Sequence, residues 1–245
     1  MAKVLVGIVT YGKQRYCLDE FLQCIRRQTV KADVLFVVNN GESAYSTLIK
    51  SKGFNAVEDP KPASTRIERI VNGRNYIRDY ALKNNYDFLL FLDSDVLVHP
   101  RALEALLATK FDVVAGVYLN VFQLDGKPVI APVLFKDLGN GQCQLYTYDG
   151  AAKQQVLEIG AAGLGCTLIS RKVLEEVSFR TFNNSATGGE DMAFFVDARA
   201  KGFKTVANTF VKCLHRPYPA SDPRAKLFEW RRHVEDFTYD IKMPE

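Results

Sequence analysis

The sequence predicts an α/β fold: a mostly parallel central sheet flanked by helices, followed by a smaller antiparallel region. Three observations carry this. Apolar runs at residues 4–10, 34–38, 88–92 and 113–118 lack the polar alternation of a half-exposed strand. Segments with helical spacing separate them, as crossover connections require. Beyond about residue 120 the texture changes to short strands between Asp-Gly and Asn-Gly turns.

Taken in order, residues 4–10 form the first buried strand and stop at Thr10-Tyr11-Gly12. Leu18, Phe21, Leu22 and Ile25 then fall on one face of a helix over 18–27. The strand at 34–38 ends at Asn39-Asn40-Gly41, a turn signal. A long helix over 67–82 carries Ile67, Ile70, Val71, Ile77 and Ala81, with Gly73 interrupting the pattern. The strand at 88–92 runs into Asp93-Ser94-Asp95, and Pro100 opens a helix over 100–107. In the second half, 129–135, 144–148 and 155–159 read as hairpin strands, with turns at Asp125-Gly126, Asn140-Gly141 and Asp149-Gly150. A Gly-rich passage over 160–165 leads to a strand at 166–170, a helix at 171–177 and a helix at 190–201 stopped by Gly202. Residues 223–237 predict a terminal helix carrying Leu227, Phe228, Trp230 and Val234, and Pro217-Tyr218-Pro219 before it reads as a lid. No linker separates the halves, so one continuous sheet is expected.

Length and composition bound the function. The 245 residues, 47% hydrophobic, suffice for one substantial core. A balance of 32 basic against 28 acidic residues, net +4, favours phosphorylated ligands only mildly and does not call for nucleic acid. No apolar run approaches the roughly 18–20 residues of a membrane span. Five scattered cysteines form no C-x-x-C pair, which argues against a zinc knuckle or a disulfide framework and for a reducing, cytoplasmic setting. Cys17 and Cys24, seven apart, read as packing residues on one helix face.

The chemistry-bearing residues gather at strand ends, where α/β sheets bind their ligands. Thr10-Tyr11, Asn39-Asn40 and Asp93-Ser94-Asp95 each follow a strand directly, so three polar clusters fall on one rim. Two carboxylates one residue apart at a turn can face one hard cation such as Mg²⁺ or Mn²⁺, although Asp also favours turns and helix starts for its own sake. His215, one of three histidines, lies beyond a later strand and is a candidate third ligand. Gly188-Gly189-Glu190-Asp191 opens the last helix pattern, where acids either complement the helix dipole or serve as a general base. Arg74 and Asn75 sit beside Gly73; Arg66, Arg69, Arg74 and Arg78 together suggest a cationic wall for phosphate. Absent motifs exclude alternatives: no G-x-G-x-x-G follows the first strand, and there is no P-loop and no G-x-S-x-G elbow.

In this order the pieces resemble the glycosyltransferases of the GT-A fold, the family-2-like group in particular. The likeness runs from Val4 to about His215, and it rests on the ordered set rather than on Asp93-Ser94-Asp95 alone. It implies one GT-A domain over 1–245, with a nucleotide-binding half (1–120), an acceptor half (121–218) and a C-terminal helix or tail (219–245). It implies a donor site of Thr10, Tyr11, Asn39, Asn40, Arg74, Asn75, Asp93, Ser94 and Asp95, with Asn where the family commonly has an Asp. It further implies Mn²⁺ or Mg²⁺ held by Asp93, Asp95 and His215, and a catalytic acid pair in which Asp191 is preferred to Glu190. The expected donor is a UDP- or GDP-linked sugar and the acceptor an unspecified hydroxyl, with inverting and retaining outcomes both open. The expected location is cytoplasmic, with peripheral membrane contact and a homodimer open at the C-terminal segment. Loops 120–127 and 160–165 are where specificity is expected. A catalytically inactive nucleotide-sugar binding module is the main rival. A sugar-nucleotide pyrophosphorylase lacks its G-x-G-T-x-x-R loop here, and a glycoside hydrolase leaves the phosphate-directed rim unexplained.

Overall fold

The computed structural model describes residues 2–124, 126–139, 142–182, 189–232 and 237–239. The strands are β1 (Val4–Thr10), β2 (Asp33–Val38), β3 (Asn55–Glu58), β4 (Phe88–Leu92), β5 (Val96–Leu97) and β6 (Val113–Val117) in the first half. The second half adds β7 (Leu119–Leu124), β8 (Lys127–Pro132), β9 (Leu134–Gly139), β10 (Gln142–Leu145), β11 (Val156–Glu158), β12 (Ala161–Ala162), β13 (Cys166–Ser170), β14 (Thr205–Lys212), β15 (Leu214–His215), β16 (Trp230–Arg232) and β17 (Phe237–Tyr239). The helices are α1 (Leu18–Arg26), α2 (Ser43–Ser51), α3 (Arg66–Lys83), α4 (Ala102–Ala108), α5 (Tyr148–Ala152), α6 (Arg171–Glu176) and α7 (Glu190–Ala200).

Eight strands form the central sheet in the order β11-β14-β6-β13-β4-β1-β2-β3. The pairings β3–β2, β2–β1, β1–β4 and β6–β14 are parallel. Strand β13 is antiparallel to both neighbours, and β11 is antiparallel to β14. The run at 113–117 therefore does not pair with β4, because β13 inserts between them. Strands from both halves of the chain share this sheet, as the missing linker predicts.

The apolar runs alternate between two cores. Val4, Val6, Ile8, Phe36, Val38, Leu90 and Leu92 face α1, α2 and α4. Leu5, Leu35, Val37, Leu89 and Phe91 face α3, α6 and α7. Burial on both faces removes polar alternation from the sequence, as expected of a covered sheet. Helix α3 starts with a capping box, Thr65 with Glu68. It lies so close to the sheet that a Cβ on Gly73 would stand 3.0 Å from both Val9 methyls, which explains a glycine inside a helix.

Several expectations are corrected. The 3-10 turn Gly12–Cys17, α2 and β3 are additional elements. Cys17 lies in that turn rather than on α1 with Cys24. The run at 129–135 breaks at Val133 between β8 and β9. Asp149-Gly150 is inside α5, capped by Thr147, and not a hairpin turn. Residues 156–158 are an edge strand of the main sheet. The terminal segment is a 3-10 turn, Pro223–Phe228, followed by β16 paired with β17. Asp222 caps the turn through the Arg224 amide and Glu229 adopts extended backbone, which stops any helix before Trp230. Tyr218 is packed against the Phe228 ring (centroids 6.2 Å apart) and under the Arg224 guanidinium (4.0 Å), a fixed position rather than a free lid. Asp125, Asn140-Gly141, Gly188 and Val234 lie outside the described residues. Among the described residues, no helix is long and apolar enough to cross a membrane.

Candidate active site

The carboxyl ends of β1, β2 and β4 open into a cleft of about 800 Å³. Thr10, Tyr11, Asn39, Asn40, Arg74, Asp93, Asp95, Glu190, Asp191 and His215 all line it. Each arrives from an element whose packing fixes it. Asp93 follows β4, and its amide bonds the Gly165 carbonyl at 3.0 Å. Strand β15 pairs with β5, setting His215 opposite Val96 and next to Asp95. The core residues Phe194 and Phe195 anchor α7, whose first turn presents Glu190 and Asp191.

Arg74 links these pieces. Its guanidinium, 4% exposed, donates from Nε to Glu190 Oε1 at 3.1 Å and from Nη2 to Asp93 Oδ1 at 3.2 Å. Cζ stands 5.0 Å from the centroid of Phe91. Burial works against its charge, but Asp93 and Glu190 overcome that and hold its pKa above the ordinary value. One buried cation thus ties α3, β4 and α7 together. Asp93 itself is pushed up, by its enclosed position first and then by Asp95 and Glu190, with Arg74 pulling the other way.

Around the one buried arginine, Arg74, the cleft brings together four carboxylates (Asp93, Asp95, Glu190, Asp191), so negative charge is in excess at this end. Asp191 shows the consequence. Burial, then the neighbouring Glu190, raises its pKa from 3.8 to about 6. Its Oδ1 accepts from the Met192 amide at 2.8 Å.

The best cation donors are Asp95 and His215. His215 Nδ1 donates to the Leu119 carbonyl at 2.7 Å, which leaves Nε2 facing Asp95 Oδ2 at 3.8 Å. In a neutral ring that arrangement puts the lone pair on Nε2, the form that ligates metals. Burial lowers the pKa of His215, but the nearby Asp95 carboxylate outweighs it and the net shift is upward. No group of three or more His, Cys, Asp or Glu side chains among the described residues converges as a metal cage. Asp93, expected as a third ligand, has its Oδ1 on Arg74. The donor set left on the chain, one carboxylate and one imidazole nitrogen, would need further ligands from outside the protein to complete the shell of a divalent ion.

A second set of charges faces the acids. Lys13, Arg66 and Arg69 line the cleft without an ion pair among the described residues. Asn39 is 6% exposed, and its Oδ1 is buried with no hydrogen-bond partner among the described residues. Three expected residues are elsewhere. Ser94 is 1% exposed and lies behind the cleft wall, its hydroxyl on Thr10 Oγ1 at 2.8 Å. Asn75 spends both ends of its amide on Phe179, donating to its carbonyl at 2.8 Å and accepting from its amide at 3.0 Å. Arg78 donates to the Leu174 and Val177 carbonyls, so it pins the segment after α6 and does not extend the cationic wall.

Sequence reasoning missed Gln14, Glu42, Tyr118, Val133 and Phe135, whereas Asn120, Phe122 and Leu164, from the two segments where specificity is expected, do line the cleft. Tyr118 Oη accepts from the Gly165 amide at 3.3 Å. A Cβ at Gly165 would lie 2.8 Å from Asp93 Oδ2 and 2.9 Å from Tyr118 Oη, closer than real contacts allow. Gly165→Ala is accordingly expected to cost about 1–3 kcal/mol and to displace Asp93. A melting curve showing a Tm drop of several degrees checks this; an unchanged Tm contradicts it.

No protein-family model matches this chain, and neither does any curated protein. Among solved structures, A197 from STIV is similar over 89% of this chain and 87% of its own, with 21% identity and a TM-score of 0.50. The likeness is one of fold. It supports the α/β architecture built on a large sheet, and the site has to be read from its own residues.

Proposed function

We propose that this protein is a GT-A-type glycosyltransferase. It moves a sugar from a UDP- or GDP-linked donor to an acceptor hydroxyl with the help of Mn²⁺ or Mg²⁺. The observation that carries this reading is the meeting of three chain-distant groups in one cleft: Asp93 with Asp95, Glu190 with Asp191, and His215. Their excess negative charge asks for a cation, and the unpaired Lys13, Arg66 and Arg69 that line the same cleft ask for an anion. A metal–diphosphate pair answers both.

In this reading Asp95 and His215 would hold the metal ion, whose chemistry when bound would be to supply positive charge to a diphosphate leaving group. Arg66, Arg69 and Lys13 take phosphate oxygens by charge-assisted hydrogen bonds. Asn39 offers its unpartnered Oδ1 to an N–H of the base, beside Thr10, Tyr11 and Asn40. Arg74 holds Asp93 and Glu190 in place and keeps the two acids from repelling α7 off the sheet. For in-line displacement Asp191 takes the proton from the acceptor hydroxyl. A carboxylate of pKa about 6 is ionised at neutral pH yet basic enough to accept a proton as the new bond forms. The apolar wall of Phe122, Phe135 and Leu164 borders the acceptor end.

The test is release of nucleoside diphosphate from a panel of UDP- and GDP-sugars with Mn²⁺. Turnover of one nucleotide class, lost when the metal is chelated, is expected. Tight binding without turnover on any acceptor class supports the inactive-module alternative instead.

A further inference from the structure

The turn bearing Asp95 is fastened by the loop that follows β1. Ser94 Oγ meets Thr10 Oγ1 at 2.8 Å and donates to Gln14 Oε1 at 2.5 Å. The same Gln14 amide donates from Nε2 to Asp95 Oδ2 at 3.0 Å. Beneath it, Cys17 Sγ donates to the Ser94 carbonyl at 3.3 Å. Because Oε1 is engaged by a hydroxyl, the amide has one sensible orientation, and its donor end faces Asp95.

We propose that Gln14 is the positioning residue of the Asp95–His215 pair. One side-chain amide sets both the Ser94 hydroxyl and the Asp95 carboxylate, so that the carboxylate faces His215 at a spacing suited to a shared cation. This rests on the glycosyltransferase reading and deepens it. An ionised carboxylate has about four acceptor positions, and the bond from Gln14 leaves positions for an ion. Oriented outer partners of this kind typically account for 10- to 100-fold in metal affinity. Gln14 is half-buried in the cleft wall, and its side chain reaches only Thr10 and Asp95, which also line the cleft, and Ser94 between Asp93 and Asp95. Its removal should therefore leave the two cores intact.

The experiment measures Mn²⁺ binding by electron paramagnetic resonance, without nucleotide and with UDP or GDP. The proteins are wild type, Asp95→Ala, Gln14→Met and Gln14→Ala, each with its melting temperature. Met keeps the length of Gln and loses its side-chain hydrogen bonds to Thr10, Ser94 and Asp95. The expected result is binding by wild type and none by Asp95→Ala. Both Gln14 variants should bind at least about 10-fold more weakly with Tm nearly unchanged. Wild-type affinity in Gln14→Met alongside loss in Asp95→Ala overturns the role of Gln14 and leaves the transferase reading standing. A large fall in Tm in both Gln14 variants makes the residue structural and also overturns it. Absence of Mn²⁺ binding by wild type under every condition overturns the reading and this proposal together.

Discussion

Replacing Asp191 by Asn is expected to abolish turnover and stabilise the protein at the same time. Loss of a general base removes about 10²–10⁴ of rate, and Asn cannot accept the acceptor's proton. The stabilisation follows from linkage. The folded-state pKa of Asp191 is raised to about 6 by burial and by Glu190, above its ordinary 3.8. The folded protein thus binds this proton more tightly than the unfolded chain does. Any such group contributes most to stability below about pH 4, and that contribution is lost as pH rises through 6. At neutral pH the ionised carboxylate burdens the fold, and Asn relieves it. The variant should melt a few degrees higher than wild type at pH 7.5, with the gap closing near pH 4. Wild-type kcat/KM should rise from pH 5 to 7 with a midpoint near 6. A variant that is inactive and less stable at pH 7.5 contradicts this account of Asp191.

Arg74→Met should produce the largest loss of stability of any single change in the cleft. The substitution leaves Glu190 buried and Asp93 in the cleft wall without their cation, while the methionine fills most of the space. Breaking one side of a buried ion pair costs about 3–5 kcal/mol. Asp93 is partly open to the cleft, with a third of its side chain exposed, so the lower end applies. About 3 kcal/mol corresponds to a fall in Tm of roughly 6–12 °C for a chain of this size. Acidification should narrow the deficit as Asp93 takes up a proton. Arg74→Lys should rescue only partly, because an ammonium group lacks the planar fork that serves two carboxylates at once. A Tm within 2 °C of wild type for Arg74→Met would show that Arg74 does not hold α3, β4 and α7 together.

How much of this was legible in the sequence depended on how each segment is buried. Strands β1, β2, β4 and β6 stood out because both faces are covered and their apolar runs are continuous. Strand β3 has four residues at the sheet edge and α2 mixes Ser and Thr with its apolar positions, so neither leaves a clear pattern. The insertion of β13 between β4 and β6 is a long-range choice that no local period records. The terminal segment misled because Leu227, Phe228 and Trp230 at near-helical spacing also suit a turn that tucks Phe228 against Leu119 and Ile130.

The site divides the same way. Asp93, Asp95 and Asp191 were readable because strand ends and helix starts place them predictably. His215 was readable as a residue type, but its partner Asp95 comes from the pairing of β15 with β5. Asn75 was misplaced because its amide is taken at both ends by Phe179, a long-range contact that no local pattern records. Gln14 was hidden in a 3-10 turn whose only signature is its tertiary contacts with Ser94 and Asp95.

The central claim, a metal-dependent nucleoside diphosphate site, is tested most directly by calorimetry. UDP and GDP would be titrated into wild type and Asp95→Ala, each with and without Mn²⁺. The account predicts that one nucleotide binds wild type at least tenfold more tightly with Mn²⁺ and that Asp95→Ala loses this gain. Folded wild type that binds neither nucleotide, or binds one equally well without metal and in Asp95→Ala, would contradict it.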